Sequence, residues 1–174
     1  MMKKVIKIIA IILLIATVVG VLMTLPATRY GAKIYSDIDE LLLPSFKENS
    51  TIYHWHDNTT APYSRTFIVA DKETYDAMFE EGAVNVNFEK EMILVYTFND
   101  NYATGSRRYY LNKISVNEGK ATVYVRLQNH IGKDAVAPYQ RWIAVKMKKA
   151  DITSVEFMEW KFDIYNGGRF KKLE

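Results

Sequence analysis

The hydrophobic pattern begins with an uninterrupted apolar run near the N-terminus. Residues 8–25 contain no charged side chain, and three lysines precede them. As a helix this run would span about 27 Å, which is close to the thickness of a bilayer's hydrocarbon core. We therefore predict a transmembrane helix within residues 1–26 that stays attached as a signal anchor. Cleavage of the same segment as a signal peptide is the alternative, although Leu25-Pro26-Ala27 is a poor cleavage sequence.

The lysines also predict the orientation of this helix. Lys3, Lys4 and Lys7 keep the N-terminus inside the cell, because positively charged flanks remain on the cytoplasmic side. The rest of the chain is then exported under either alternative. We expect a single-pass protein of the cell membrane with its C-terminal domain outside the cytoplasm, or a secreted domain if the segment is cleaved.

Residues 27–50 have the pattern of a stalk that contains one short helix. Ser36 can cap this helix, and Asp39 at its third position completes a capping box. The leucines at 41–43 form the apolar side of the helix, and Pro44 is predicted to end it.

The remaining residues, 51–174, show a helical period once and then a period of two. Asp71 is a typical N-cap, and three apolar side chains follow it at helical spacing before Gly82. This pattern predicts one helix over 72–81. Apolar and polar residues then alternate over 84–88, which predicts a strand.

Further strands follow from apolar runs and from alternation. Residues 92–98 are nearly all apolar, as in a central strand that is buried on both faces. Asn117-Glu118-Gly119-Lys120 is a typical hairpin turn, and alternate side chains over 121–127 are apolar. Together the elements predict an α+β fold, a mostly antiparallel sheet or sandwich-like domain with one short helix. The other predicted strands cover residues 65–70, 108–116, 139–146 and 154–159.

The positive charge of the whole chain originates at its N-terminus. The formal net charge is +3, from 23 basic and 20 acidic residues. Four basic residues and no acidic ones lie within 1–30, which leaves 19 basic and 20 acidic residues, a net charge of −1, for the rest. We therefore expect no nucleic-acid partner, because a near-neutral domain does not attract a phosphate backbone.

The chain contains no cysteine. An exported domain without disulfides depends on its hydrophobic core for stability, and 49% apolar residues are sufficient for one. Thiol catalysis, thiolate metal sites and cysteine lipidation are excluded.

Two histidines offer a candidate for metal chemistry. His54 and His56 would share one face of a strand, and with His130 or Asp57 they could bind zinc. No third ligand has a diagnostic spacing, so we predict no metal and no other cofactor. The carboxylate pairs lie on predicted surface turns, and Thr104-Gly105-Ser106 lacks the flanking glycines of a nucleophile elbow. These observations favour a non-enzymatic protein, with a metal-dependent hydrolase that uses His54 and His56 as an alternative.

Aromatic side chains cluster where two loops join their following strands. The loop at 99–107 is polar and contains Gly105, and a second loop covers 129–138. Tyrosine and tryptophan recur at interfaces because they supply a large contact area at low entropic cost. We therefore predict a surface for a protein partner at these loops, which would lie side by side if their following strands pair. Its residues are Tyr102, Thr104, Gly105, Ser106, Tyr109, Pro138, Tyr139 and Trp142.

Four stretches occur in an order that is also found in a known family. They are residues 66–69 followed by 75–79, residues 86–95, Thr104-Gly105, and Pro138-Tyr139 before residues 142–146. On these motifs, residues from about 66 to 157 resemble the C-terminal domain of the PrcB family. The resemblance implies an exported, membrane-associated, non-enzymatic module that accompanies and stabilises a cell-surface serine protease complex.

A fainter similarity connects the same loops to chagasin-type inhibitors of cysteine proteases. Asn101-Tyr102-Ala103-Thr104-Gly105 is similar to their first inhibitory loop, and Arg141-Trp142 is similar to part of another. The predicted function is therefore a membrane-tethered extracytoplasmic protein-binding module, an accessory or stabilising subunit of a cell-surface protease complex. A chagasin-like protease inhibitor is the alternative that uses the same surface.

Overall fold

The strands in the described part of this protein form a sandwich of two four-stranded sheets. A computed structural model describes residues 30–52, 62–100, 108–127, 139–163 and 167–173. The strands are β1 (Lys33–Tyr35), β2 (Ser64–Val69), β3 (Glu91–Asp100), β4 (Tyr109–Asn117), β5 (Lys120–Leu127), β6 (Tyr139–Lys148), β7 (Ser154–Asp163) and β8 (Gly167–Lys172). The first sheet has the order β1-β6-β3-β2 and is antiparallel throughout. The second sheet has the order β4-β5-β7-β8, with β5 and β7 parallel.

Three short helical elements accompany the sheets in the described residues. They are a 3₁₀ helix (Asp39–Leu41), α1 (Pro44–Asn49) and α2 (Lys72–Asp76). The prediction of a mostly antiparallel, sandwich-like β domain is confirmed in outline. The structure adds a parallel pair inside the second sheet, and it has the 3₁₀ helix and α1 in place of the single short helix predicted before Pro44.

The main hydrophobic core lies between the two sheets. Alternate residues of β3 (Met92, Leu94, Tyr96 and Phe98) point into it, and Ala121, Val123 and Val125 of β5 oppose them. Phe157 of β7 is fully buried and stacks on Tyr96, with ring centroids 4.8 Å apart. Burial of such side chains stabilises the fold by about 1.5–3 kcal/mol each.

A second cluster covers the other face of the first sheet. Ile93 and Val95 of β3 point into it, where they meet Tyr75 and Phe79 from the region of α2. The strand β3 is therefore buried on both faces, as its continuous apolar pattern predicts. The first sheet thus lies between the second sheet and a covering layer of helices and turns.

Residues 30–50 belong to this domain, which corrects the predicted stalk. Lys33 pairs with Lys146 in the ladder between β1 and β6. Ile38 and Leu42 are buried in the covering layer, and the Ile38 N–H donates to the Trp142 carbonyl oxygen at 3.2 Å. The local pattern did not reveal this arrangement, because the groups that cover these side chains lie far away in the sequence.

Several residues near the helices have structural roles that differ from the predicted ones. Pro44 begins α1 at a first-turn position instead of ending a helix, which fits a residue that has no N–H to donate. Ser36 caps nothing, and its hydroxyl donates to the Tyr109 carbonyl oxygen at 2.9 Å. The predicted strand at 84–88 is a series of turns and irregular segments, in which the Val84 N–H donates to the Tyr75 hydroxyl.

Two local predictions are confirmed. Asp71 caps α2, because its carboxylate accepts a hydrogen bond from the Thr74 N–H at 2.8 Å, although the helix ends at Asp76 rather than at residue 81. The turn between β4 and β5 has Glu118 at φ 49° and Gly119 at φ 77°. Two successive left-handed residues are typical of a tight hairpin turn, so the glycine lies where the backbone requires it.

The stability of the sandwich is expected to fall in acid. Backbone donation from Asn87, assisted by Lys146, holds the pKa of Glu91 below its ordinary value of 4.5, and Lys120 with Thr122 does the same for the pKa of Glu156. A lowered pKa means that the folded state favours the charged carboxylate, so this stabilisation is present above pH 4.5 and is lost as the pH falls through the folded-state values.

Urea unfolding at pH 7 and pH 3.5 measures this loss. Substitution of both carboxylates, Glu91→Gln and Glu156→Gln, should reduce the difference in unfolding free energy between the two pH values. An unchanged difference in the double variant would show that other groups control the acid sensitivity.

Candidate functional site

The two connections that contain the predicted binding residues attach to the same end of the sandwich. One connection leaves β3 after Asp100 and enters β4 at Tyr109, and the other leaves β5 after Leu127 and enters β6 at Tyr139. Asp100 pairs with Tyr139, and Tyr109 pairs with Leu127. The two connections therefore start and finish beside each other at both ends. We call this end of the sheets, marked by these four residues, the loop end.

The reason for this proximity differs from the one that was predicted. The strands that follow the two loops, β4 and β6, do not pair, because they lie in different sheets. The loops are brought together by the antiparallel pairs β3–β6 and β4–β5, which bridge the start of one connection to the finish of the other. The opposite end of the sheets carries the turn at Glu118-Gly119 and is called the hairpin end.

The eight predicted binding residues divide into three groups. Tyr102, Thr104, Gly105, Ser106 and Pro138 lie outside the described residues. Tyr139 is the first residue of β6, at the edge of the loop end. The remaining two, Tyr109 and Trp142, are 3% and 1% exposed.

Tyr109 and Trp142 are therefore core residues. The ring of Tyr109 meets Phe98 edge to face at 5.7 Å in the core between the sheets. Trp142 points the other way, into the covering layer, where it lies 5.6 Å from Phe46 and 6.1 Å from Phe67. A buried side chain offers no contact area, so these two residues support the loop end and are removed from the predicted contact surface.

A buried arginine lies at the loop end. Arg141 of β6 is fully buried, and its guanidinium is 3.6 Å from the carboxylate of Asp37, which follows β1. The neighbouring Ser36 also bonds to Tyr109, the first residue of β4. The segment after β1 thus joins the two sheets at this end and fixes where the connections attach.

Removal of the Asp37 carboxylate should destabilise the fold, because it leaves the buried Arg141 charge less compensated. We expect Asp37→Ala to lower the unfolding free energy by about 2 kcal/mol, less than for a fully buried pair because Asp37 is half exposed. Combining it with Arg141→Met should recover part of this loss, since an apolar side chain of similar length needs no counter-ion. Urea unfolding of the two variants tests this; a double variant less stable than Asp37→Ala would contradict it.

A groove beside this ion pair has an acidic lining. It has a volume of about 390 Å³, and its described lining residues are Asp37, Asp39, Glu40 and Leu41. Asp37 is paired with Arg141, and Asp39 is paired with Lys47 at 3.0 Å. Two of the three carboxylates are therefore already compensated by the protein. Within the described ranges no group of three or more histidine, aspartate or glutamate side chains could hold a metal ion.

The predicted zinc ligands lie outside the described residues; they are His54, His56, Asp57 and His130. The attachment points of their segments are known, however. Pro62 precedes β2, whose first residue pairs with Phe98 near the end of β3, and Leu127 is the last residue of β5. Both segments thus attach at the loop end.

The outer face of the second sheet carries aromatic and basic side chains that sequence reasoning did not group together. Buried residues alternate with these along β4, β5 and β7, and the ladder registers place the β8 residues on the same side. Tyr110 is 48% exposed and Trp160 is 39% exposed, while the others are half-buried or exposed. We call this surface the aromatic face; it consists of Tyr110, Lys113, Tyr124, Arg126, Met158, Trp160, Phe170 and Lys172.

The rings of the aromatic face pack against each other. Phe170 lies edge to face with both Tyr124, at 4.8 Å, and Trp160, at 5.0 Å. The Lys113 ammonium lies 4.5 Å from the centre of the Tyr124 ring, a cation–π distance. Gly168 has a close-packing role here, because a Cβ at this position would overlap the indole of Trp160.

The signal that could have found the aromatic face is present in the sequence but incomplete. Alternation over 121–127 separates Tyr124 and Arg126 from the buried valines. The parallel pairing of β5 with β7, which aligns Tyr124 with Met158, joins strands that are far apart in the chain. No local pattern predicts such a pairing, so the aromatic residues could not be assigned to one surface.

No family model, curated protein or solved structure matches this chain. The helices within the described residues are too short or too polar to cross a membrane. The predicted anchor at 1–26 lies outside those residues.

Proposed function

We propose that this protein is a membrane-tethered extracytoplasmic binding module without catalytic activity. It would serve as an accessory or stabilising subunit of a cell-surface protease complex, the role that the resemblance to the PrcB family implies. The loop end is the surface that binds the partner. Five of the predicted contact residues belong to the two connections at this end, and Tyr139 lies at their junction with β6.

The observation that carries this proposal is the double pairing of the attachment points. Asp100 pairs with Tyr139 and Tyr109 pairs with Leu127, so the starts and finishes of both connections are held together. Buried side chains lie next to these attachment points. Binding residues are often found on loops positioned by a rigid scaffold, and two adjacent loops can form one continuous surface. The buried Tyr109, Trp142 and Arg141 supply the scaffold rather than the contacts.

Recovery of a partner from solubilised membranes tests the proposal. The full chain carrying Thr104→Ala, Gly105→Ala and Tyr139→Ala should lose a protein that the unchanged chain retains. The matched control carries Asn117→Ala and Asp151→Ala, which are exposed and lie at or beside the hairpin end. Circular dichroism should show that both variants are folded. Equal recovery of the partner by the two variants would exclude the loop end as the binding surface.

Assays of protease activity distinguish the inhibitor alternative from the accessory role. An inhibitor that uses these loops would block a purified cysteine or serine protease at micromolar concentration, whereas an accessory subunit would bind its partner without blocking it. The first result would replace the accessory role with inhibition.

A further inference from the structure

The two sheets differ in how their outward faces are covered. The first sheet is buried on both sides, by the second sheet and by the covering layer. No described element packs on the outer face of the second sheet, so the aromatic face is open to contact. Lys113, Arg126 and Lys172 give it positive charge, and Glu156, the described acidic residue on this side, is paired with Lys120 at 2.7 Å.

The position of the predicted anchor limits how far the domain can lie from the membrane. The apolar run ends at residue 25, and Tyr30 already packs against the main core. The intervening residues 26–29 can span about 14 Å at most, even when fully extended. The domain must therefore lie next to the lipid headgroups, with one of its surfaces turned toward them.

The chain enters the domain close to the aromatic face. Lys33, the first residue of β1, pairs with Lys146 near the hairpin end. The strand β1 is the edge of the first sheet and contacts β4, which is the edge of the second sheet. The aromatic face starts at β4, so it borders the side on which the chain enters.

We propose that the aromatic face docks on the lipid–water interface of the membrane that anchors the chain, with anionic headgroups as its ligands. Tryptophan, tyrosine and basic side chains are favoured at lipid–water interfaces, because each has an apolar body and a polar or charged tip. Each lysine or arginine near an anionic surface adds attraction to the contact made by the rings. A stacking platform for nucleic-acid bases is a weaker fit, because here the rings are packed edge to face against each other.

This docking rests on the tether in the proposed function and adds a consequence to it. With the aromatic face on the lipid, the strands lie along the membrane, and the loop end points sideways rather than away from it. The partner would then be met at the membrane surface.

The experiment uses the full chain in lipid vesicles with a single reporter. The protein has no cysteine, so Ser115→Cys, exposed on the outer side of β4, accepts one environment-sensitive dye. Ala77→Cys, exposed in the covering layer, is the matched control. In vesicles with anionic lipid we expect the dye at 115, but not at 77, to be shielded from a water-soluble quencher. Neutral vesicles or high salt should weaken the shielding, because both remove the electrostatic attraction.

Charge variants test the named residues. Lys113→Gln with Arg126→Gln should lower the docking equilibrium constant roughly 30-fold, whereas Lys72→Gln with Lys90→Gln should leave it unchanged. A dye at 115 that stays accessible while the chain remains in the vesicles would overturn the docking and leave the tether intact. A chain that is not retained by vesicles would contradict both the docking and the tether. Shielding at 115 that requires an added glycan, nucleic acid or protein instead of anionic lipid would also overturn the docking.

Discussion

Deletion of residues 30–50 is expected to leave a chain that does not fold. These residues supply β1, α1 and two core side chains, Ile38 and Leu42, which are 0% and 2% exposed. Truncation of each side chain to alanine costs about 2–5 kcal/mol, and the total stability of a domain is about 5–15 kcal/mol. We therefore expect the double variant Ile38→Ala with Leu42→Ala to be largely unfolded at 37 °C.

Thermal unfolding followed by circular dichroism measures this effect. Glu40→Ala with Glu48→Ala, two exposed positions in the same segment, should change the melting temperature little. A double core variant as stable as this control would contradict the assignment of residues 30–50 to the folded domain.

Phe157→Ala is expected to cost about 3–5 kcal/mol, the largest single-residue loss that we predict. Phe157 is fully buried in the core between the sheets, where it stacks on Tyr96. The Tyr96 hydroxyl donates to the Leu173 carbonyl oxygen, and the Leu173 N–H donates to the Phe157 carbonyl oxygen. Loss of the ring therefore leaves a cavity next to the bonds that hold the end of the chain.

The neighbouring residue provides the matched control. Met158 points outward in the register of β7, so Met158→Ala should cost less than about 1 kcal/mol. Urea unfolding of both variants gives the two free energies. Equal losses would mean that β7 does not alternate as its pairing with β5 requires.

Predictions from the sequence succeeded where one segment determines its own structure. The continuous apolar run of β3 requires burial on both faces, and the turn at Gly119 requires a left-handed backbone. Asp71 caps α2 through a bond to a residue three positions away. Each of these depends on contacts or torsion angles that are close in the chain.

Predictions failed where distant segments decide the outcome. The alternation at 84–88 is typical of a strand, but none of the described strands pairs with it, and its apolar residues fill the covering layer instead. The local pattern predicts a stalk for the leucines near residue 42, because it does not show that β6 and the segment after α2 cover them. Tyr109 and Trp142 are predicted to be contact residues but are buried, since a strand pattern does not show which face is covered.

The candidate site shows the same division. The two loops and their composition were found from the sequence, but the reason for their proximity, the pairs Asp100–Tyr139 and Tyr109–Leu127, belongs to the sheet topology. The aromatic face could be identified only from the strand order β4-β5-β7-β8. In this order β5 and β7 are parallel neighbours, although β6 lies between them in the sequence.

Site-specific cross-linking in intact cells tests most directly whether the loop end binds a partner. A photo-reactive phenylalanine analogue would replace Tyr102, in the connection between β3 and β4, and, in a second chain, the exposed Asp151 beside the hairpin end. We predict that illumination links the partner to position 102 and leaves position 151 unlinked, with the captured protein identified by mass spectrometry. A chain that captures nothing from position 102, or captures the same protein equally from both positions, would contradict the account.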